Sequence, residues 1–96
     1  MFIVLLNYIK PLAEVETWLE EHREFLNRYY ASGHFLLSGP RVPRSGGVII
    51  CRAETRAEVE AIVEKDPFHR EQISHYEIIE FTPLMTAADL AYLKLP

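Results

Sequence analysis

The chain is predicted to adopt an α+β fold, a four-stranded antiparallel sheet with two helices on one face. Three observations predict it. Four short runs dense in β-branched and aromatic residues enclose two longer stretches whose apolar residues recur three and four apart. These elements come in the order β-α-β-β-α-β, the split βαβ or ferredoxin-like unit. The length of 96 residues suits one domain of that size and no more.

Residues 2–9 (FIVLLNYI) make the first strand, and Lys10-Pro11 breaks it. Phe2, Val4 and Leu6 lie on one side and Ile3 and Leu5 on the other, so this strand is apolar on both faces and expects cover on both. From Leu12 to Ser32 the period becomes helical. Val15, Trp18, Leu19, His22, Phe25, Leu26 and Tyr29 form one stripe, and Gly33 supplies the left-handed terminator. His34 to Ser38 is a second short strand, closed by Gly39-Pro40. Residues 41–45 lead into Gly46-Gly47 as a turn, and Val48 to Arg52 follow as the third strand, again apolar on both faces. Thr55-Arg56-Ala57-Glu58 has capping-box spacing and opens a second helix with Val59, Ile62 and Val63 inward. Asp66-Pro67 stops it, because the residue before proline disfavours helical backbone. A turn at 68–72 leads to a fourth strand, Ser74 to Thr82, halted by Pro83. A small helix is expected to begin near Thr86 in the tail 85–96, with Leu90 and Leu93 as its apolar contacts.

Two helices on one side leave the other side of the sheet bare. An apolar sheet face of that kind is usually an interface, and a homodimer stacked sheet on sheet covers it economically. The tail is an alternative or additional cover.

Composition narrows the function. Ten basic against fourteen acidic side chains give a formal net charge of −4, which argues against nucleic acid or an anionic membrane as the main partner. The βαββαβ order also occurs in RNA-binding domains. Their third strand carries stacked aromatics, however, whereas this one reads Gly46-Gly47-Val48-Ile49-Ile50-Cys51-Arg52. No apolar run approaches the roughly 18–20 residues of a transmembrane helix. No basic lead-in of a signal peptide precedes the first strand, so a cytoplasmic location is expected. The single cysteine, Cys51, lies in an apolar run, forms no intramolecular disulfide, and reads as a buried thiol rather than a nucleophile. With one cysteine and no HxH or HxxxH spacing among His34, His69 and His75, no metal site is expected.

His22 is the most informative residue. On the buried helix stripe it is either a core histidine satisfied by backbone or water, the reading the helix pattern favours, or a general acid or base. Asp66 before Pro67 is a good helix N-cap; alternatively its carboxylate pairs with an imidazole. Ser38-Gly39-Pro40 is either a plain turn or an oxyanion site built from the Ser38 hydroxyl and neighbouring backbone N–H groups.

Together these residues carry a resemblance. The opening strand, His22-Arg23-Glu24-Phe25-Leu26, Gly33, Ser38-Gly39-Pro40, Gly46-Gly47 and Asp66-Pro67-Phe68, in that order, resemble the YCII-related (YciI-like) family. The match spans residues 1 to about 82, leaving 83–96 as a C-terminal extension. The resemblance implies a ferredoxin-like fold of the dimeric α/β-barrel type, as in muconolactone isomerase. It also implies an active site marked by a histidine and an aspartate, which fall at His22 and Asp66. A family dehydrochlorinase acting without cofactor on a chlorinated hydroxyhydroquinone sets the expected chemistry. On this reading His22 moves a proton and Asp66 holds the ring. Ser38 and Gly39 bind an oxyanion, Tyr8 and Trp18 form pocket wall, and no cofactor is required. Lyase, dehydrohalogenase and isomerase reactions on a small phenolic or carboxylated molecule all fit. The competing expectation is a dimeric module that holds a metabolite in the same pocket without turning it over.

Overall fold

A computed structural model of the chain describes residues 1–95. Strands β1 (Phe2–Tyr8), β2 (Phe35–Pro40), β3 (Gly46–Cys51) and β4 (Ser74–Glu80) are joined through helices α1 (Leu12–Ala31), α2 (Arg56–Val63) and α3 (Pro67–Arg70). The sheet order is β2-β3-β1-β4 with every neighbouring pair antiparallel, which is the ferredoxin-like α+β arrangement. α1 ends as its sequence predicts, with Gly33 at a φ of +87°. α2 is capped by Thr55, whose hydroxyl accepts the Glu58 N–H at 3.2 Å.

Three local expectations are corrected. The β2–β3 reversal is made by residues 41–45, where Arg41 N–H donates to Gly46 O at 2.9 Å and Ser45 N–H to Pro43 O at 2.8 Å. Gly46 and Gly47 therefore open β3 instead of turning. Gly39-Pro40 extends β2 instead of closing it; β2 is an edge strand, and Pro40 is its last residue, where a missing N–H is tolerated. The turn after Asp66 is a single helical turn, because Asp66 caps it and Pro67 takes its first position. The tail helix is a 3-10 helix over Ala88–Leu93 that begins two residues after Thr86, with Leu90 45% exposed and Leu93 half-buried. Pro96, the end of that expected tail, lies outside the described residues.

The core forms between the sheet and the helices. Phe2, Val4 and Leu6 of β1 are buried against Val15 and Phe25 of α1, Val59, Ile62 and Val63 of α2, and Phe68 of α3. Cys51 is wholly buried, and burial, reinforced by the Glu58 carboxylate, pushes its thiol up to about 11. It is protonated at neutral pH and no nucleophile.

The opposite face carries a row of apolar side chains across all four strands, Leu37, Ile50, Ile3 and Ile79. Leu37 is 62% and Ile79 40% exposed, so the chain itself leaves this face largely uncovered. The row exists because β2 is irregular. Phe35 pairs with Cys51 and Leu37 with Ile50, leaving Leu36 as an extra residue. Such a bulge shifts the alternation by one. Leu37 thereby turns to the open face, and Ser38, opposite Ile49, turns to the helix face.

Candidate active site

α1 places His22 on its inward stripe, 9% exposed, and α3 begins at Asp66, which is fully buried. The two side chains meet across 44 residues of sequence, with His22 Nδ1 2.8 Å from Asp66 Oδ1. Asp66 performs both roles that its sequence position suggested. Its Oδ1 also accepts the Phe68 N–H at 3.0 Å, the cap of α3, while the carboxylate orients the imidazole. A buried carboxylate requires several donors. A third donor is the hydroxyl of Tyr76 on β4, which bonds Asp66 Oδ2. Burial first, and then the adjacent Asp66 charge, push the Tyr76 hydroxyl far above its ordinary range, so it remains protonated and always donates.

The imidazole is held in plane as well. Phe68 stacks on it with ring centroids 4.0 Å apart and planes at 4°. Asp66-Pro67-Phe68 thus supplies the hydrogen-bonding partner and the stacking partner from a single turn. With Nδ1–H given to the carboxylate, the lone pair of neutral His22 lies on Nε2, which makes no hydrogen bond among the described residues.

α3 is only four residues long, so something must hold it against α1. Arg70 does so. Its Nη1 and Nη2 lie 2.7 and 3.1 Å from the two carboxylate oxygens of Glu21, and its guanidinium sits 5.5 Å over the Trp18 ring. The Arg70 hydrogen bond holds the Glu21 carboxyl below its usual range.

His22 opens on a pocket of about 400 Å³ between α1, α3 and the strands β1, β2 and β3. A dry cavity of roughly 150 Å³ takes a benzene ring, so this one holds a single substituted ring with water to spare. Tyr8, Ser38 and Gly39 line it together with His22 and Phe68. The Ser38 and Tyr30 hydroxyls are hydrogen-bonded at 2.5 Å, which anchors Ser38 toward α1. Trp18 is not among the lining residues; its ring belongs to the Arg70 contact instead. Sequence reasoning missed Phe68, Tyr76, Arg23 and Arg44 as parts of this region. Phe68 was signalled by its place after Asp66-Pro67; Tyr76 had only its alternation on β4 as a signal.

A second cleft, about 600 Å³ and more open, runs past His69, His75 and Glu64 and shares only Tyr76 with the hydrogen-bonded trio. Its size does not make it the reactive site, because no buried acid–base pair faces it. Among the described residues no cluster of three or more His, Cys, Asp or Glu side chains is placed to hold a metal ion. No helix among them is long and apolar enough to cross a membrane.

Removing the Tyr76 hydroxyl leaves Asp66 Oδ2 buried without its donor. Tyr76→Phe is expected to cost about 1–3 kcal/mol of stability in chemical denaturation, the range for an orphaned buried polar atom. A midpoint unchanged from wild type would show that water replaces the hydroxyl.

Three comparisons bear on this site. The model of the YCII-related domain family matches residues 1–82. No curated protein matches the chain. Among solved structures, the chain is similar to the 5-chloro-2-hydroxyhydroquinone dehydrochlorinase of Burkholderia phenoliruptrix in complex with 2,5-dihydroxybenzoquinone. The TM-score is 0.72 at 20% identity, over 86% of this chain and 95% of that one. A likeness at that identity establishes the shared fold.

Proposed function

The chain belongs to the YCII-related domain family, and on that premise we propose that it is a cofactor-free acid–base enzyme acting on a small phenolic or carboxylated molecule. The observation that carries this reading is the 2.8 Å His22–Asp66 hydrogen bond at the wall of a ring-sized pocket. Asp66 accepts the Nδ1–H hydrogen bond and leaves the Nε2 lone pair free to accept a proton. His22 Nε2 removes a proton from a substrate O–H or acidic C–H, and the electron pair left behind enters the substrate's π system. In an elimination that pair expels the leaving group with its bonding electrons. In an isomerisation the imidazolium returns the proton to a different carbon. Asp66 stabilises the imidazolium through both routes, and Ser38 with the Gly39 backbone receives the developing oxyanion. The dehydrochlorinase of the same fold, solved with a quinone, supports a hydroxylated ring as the kind of substrate.

The test is turnover of a panel of substituted hydroquinones, led by 5-chloro-2-hydroxyhydroquinone, by wild type and His22→Asn. Wild-type turnover is expected, with kcat lowered roughly 10²–10⁴-fold in the variant and KM little changed. Saturable binding without turnover by the wild type would make the chain a metabolite-binding module instead.

The partner that completes the fold is, on this reading, a second copy of the chain stacked on the open sheet face, with Leu37, Ile50, Ile3 and Ile79 at its centre. Sedimentation at micromolar concentration is expected to give at least twice the chain mass, a homodimer or a higher homo-oligomer. A monomer overturns the assembly.

A further inference from the structure

We propose that the substrate is a ring bearing an ionised oxygen group, a carboxylate or an ionised phenol, bound at the pocket mouth by Arg44 and Arg23. This rests on the reading that the pocket at His22 is the substrate site.

The pocket has two unlike ends. One wall is apolar, formed by Leu6, Leu26, Ile49 and Phe68, and suits a ring. The remaining charged lining residues are Glu16, Arg23 and Arg44, two guanidinium groups against one carboxylate. On a chain with formal net charge −4, that is a locally positive opening. Arg44 rises from the 41–45 loop and reaches across to α1, its Nη1 2.6 Å from Glu16 Oε1. The two side chains keep 39% and 51% exposure, so their pairing is wet and exchangeable. An incoming anion can take the place of Glu16 without stripping either group of a buried partner. Glu16, with Tyr8 beside it, raises the Arg44 guanidinium further above neutrality, so its charge is permanent. Arg23 follows His22 on α1 and makes no ion pair among the described residues. A neutral ligand would leave that guanidinium idle, whereas a carboxylate or ionised phenol oxygen satisfies its planar fork. The same charges serve the chemistry, because negative charge delocalised from the deprotonated carbon or oxygen ends near a fixed cation.

The experiment compares probes matched in shape and unequal in charge by amide chemical-shift titration of the full chain. Benzoate is set against benzamide, and 2,5-dihydroxybenzoquinone, a vinylogous acid ionised at neutral pH, against its neutral dimethyl ether. At least one anion is expected to bind wild type about tenfold or more tightly than its neutral counterpart. The anion with the larger advantage identifies carboxylate or ionised phenol as the group recognised. In the doubly substituted Arg23→Gln, Arg44→Gln protein the advantage is expected to fall to about threefold or less, and Arg44→Lys is expected to retain part of it. The amide spectrum itself reports whether each variant is folded. Equal binding of anion and neutral probe, failure of both anions to shift the pocket amides, or an advantage that survives the double substitution overturns the proposal. Turnover of the hydroquinone panel by wild type separates the two readings. A charge advantage in a wild-type protein that turns nothing over sinks the enzyme and keeps the anion site, and wild-type turnover without a charge advantage does the reverse.

Discussion

Asp66→Asn is expected to abolish nearly all acid–base turnover, by about 10²–10⁴-fold in kcat, while leaving the fold almost as stable as before. The amide keeps an oxygen for the α3 cap, the Phe68 N–H at 3.0 Å, so the local structure survives. What it loses is the negative charge of the carboxylate whose Oδ1 accepts the His22 Nδ1–H hydrogen bond at 2.8 Å. The same oxygen keeps the Nδ1–H hydrogen bond, and the NH₂ group faces the Tyr76 hydroxyl, but no negative charge remains beside the imidazolium that proton abstraction creates. Nitrogen NMR of the His22 ring is expected to show the Nδ1–H tautomer in both proteins, so the lost turnover reports the lost charge and not a changed ring orientation. Turnover within about threefold of wild type would show that the carboxylate charge stabilises no catalytic imidazolium.

Gly46→Ala is expected to be the most damaging methyl addition in the chain. A Cβ there would lie 1.8 Å from the Leu6 carbonyl oxygen and 2.8 Å from its carbon, both backbone atoms of the neighbouring β1. Neither strand can yield without breaking the ladder that pairs Leu6 with Gly47 and Asn7 with Gly46. Overpacking against backbone costs about 3 kcal/mol or more, against a total of roughly 5–15 kcal/mol for a domain. Thermal unfolding is expected to show a midpoint lowered by more than about 10 °C, or no cooperative transition. Gly47→Ala is the built-in control, because its Cβ would meet only the Gly39 carbonyl at 3.4 Å. Similar midpoints for the two variants would refute the close approach at Gly46. Both glycines also line the pocket, so this packing constraint and the shape of the site are one feature.

These expectations draw on information of different range. The two strict periods, the Lys10-Pro11 break, Gly33 and the Thr55 capping box act within a few residues of themselves. They determined the element order, and with it the sheet, from sequence alone. The same local logic misjudged residues 39–47, where Gly and Pro are as compatible with strand ends as with turns. Only the pairing of β2 with β3 decides between those outcomes.

The site was half legible. Asp66 could be read as a cap and His22 as a core residue from their neighbours, and both readings hold locally. Their meeting across 44 positions could be suggested only by a family resemblance, because nothing within a turn of either residue encodes it. Tertiary packing decides it. Burial of Phe68 in the core docks a four-residue helix on α1, with the Glu21, Trp18 and Arg70 contacts at its surface, and places Asp66 and Phe68 against the imidazole. That docking occupies Trp18, which therefore does not line the pocket. The unpaired Leu36 in β2 shifts the alternation and turns Ser38 inward, against the period-two pattern that would carry it to the open face. Tyr76 reaches Asp66 only because β4 lies beside β1, with Tyr76 opposite Leu6. Periodicity and capping are sums over near neighbours, so the sequence by itself determined the elements. Which side chains converge depends on bulges, register and helix docking, each set by packing over the whole chain, and that the tertiary structure alone decided.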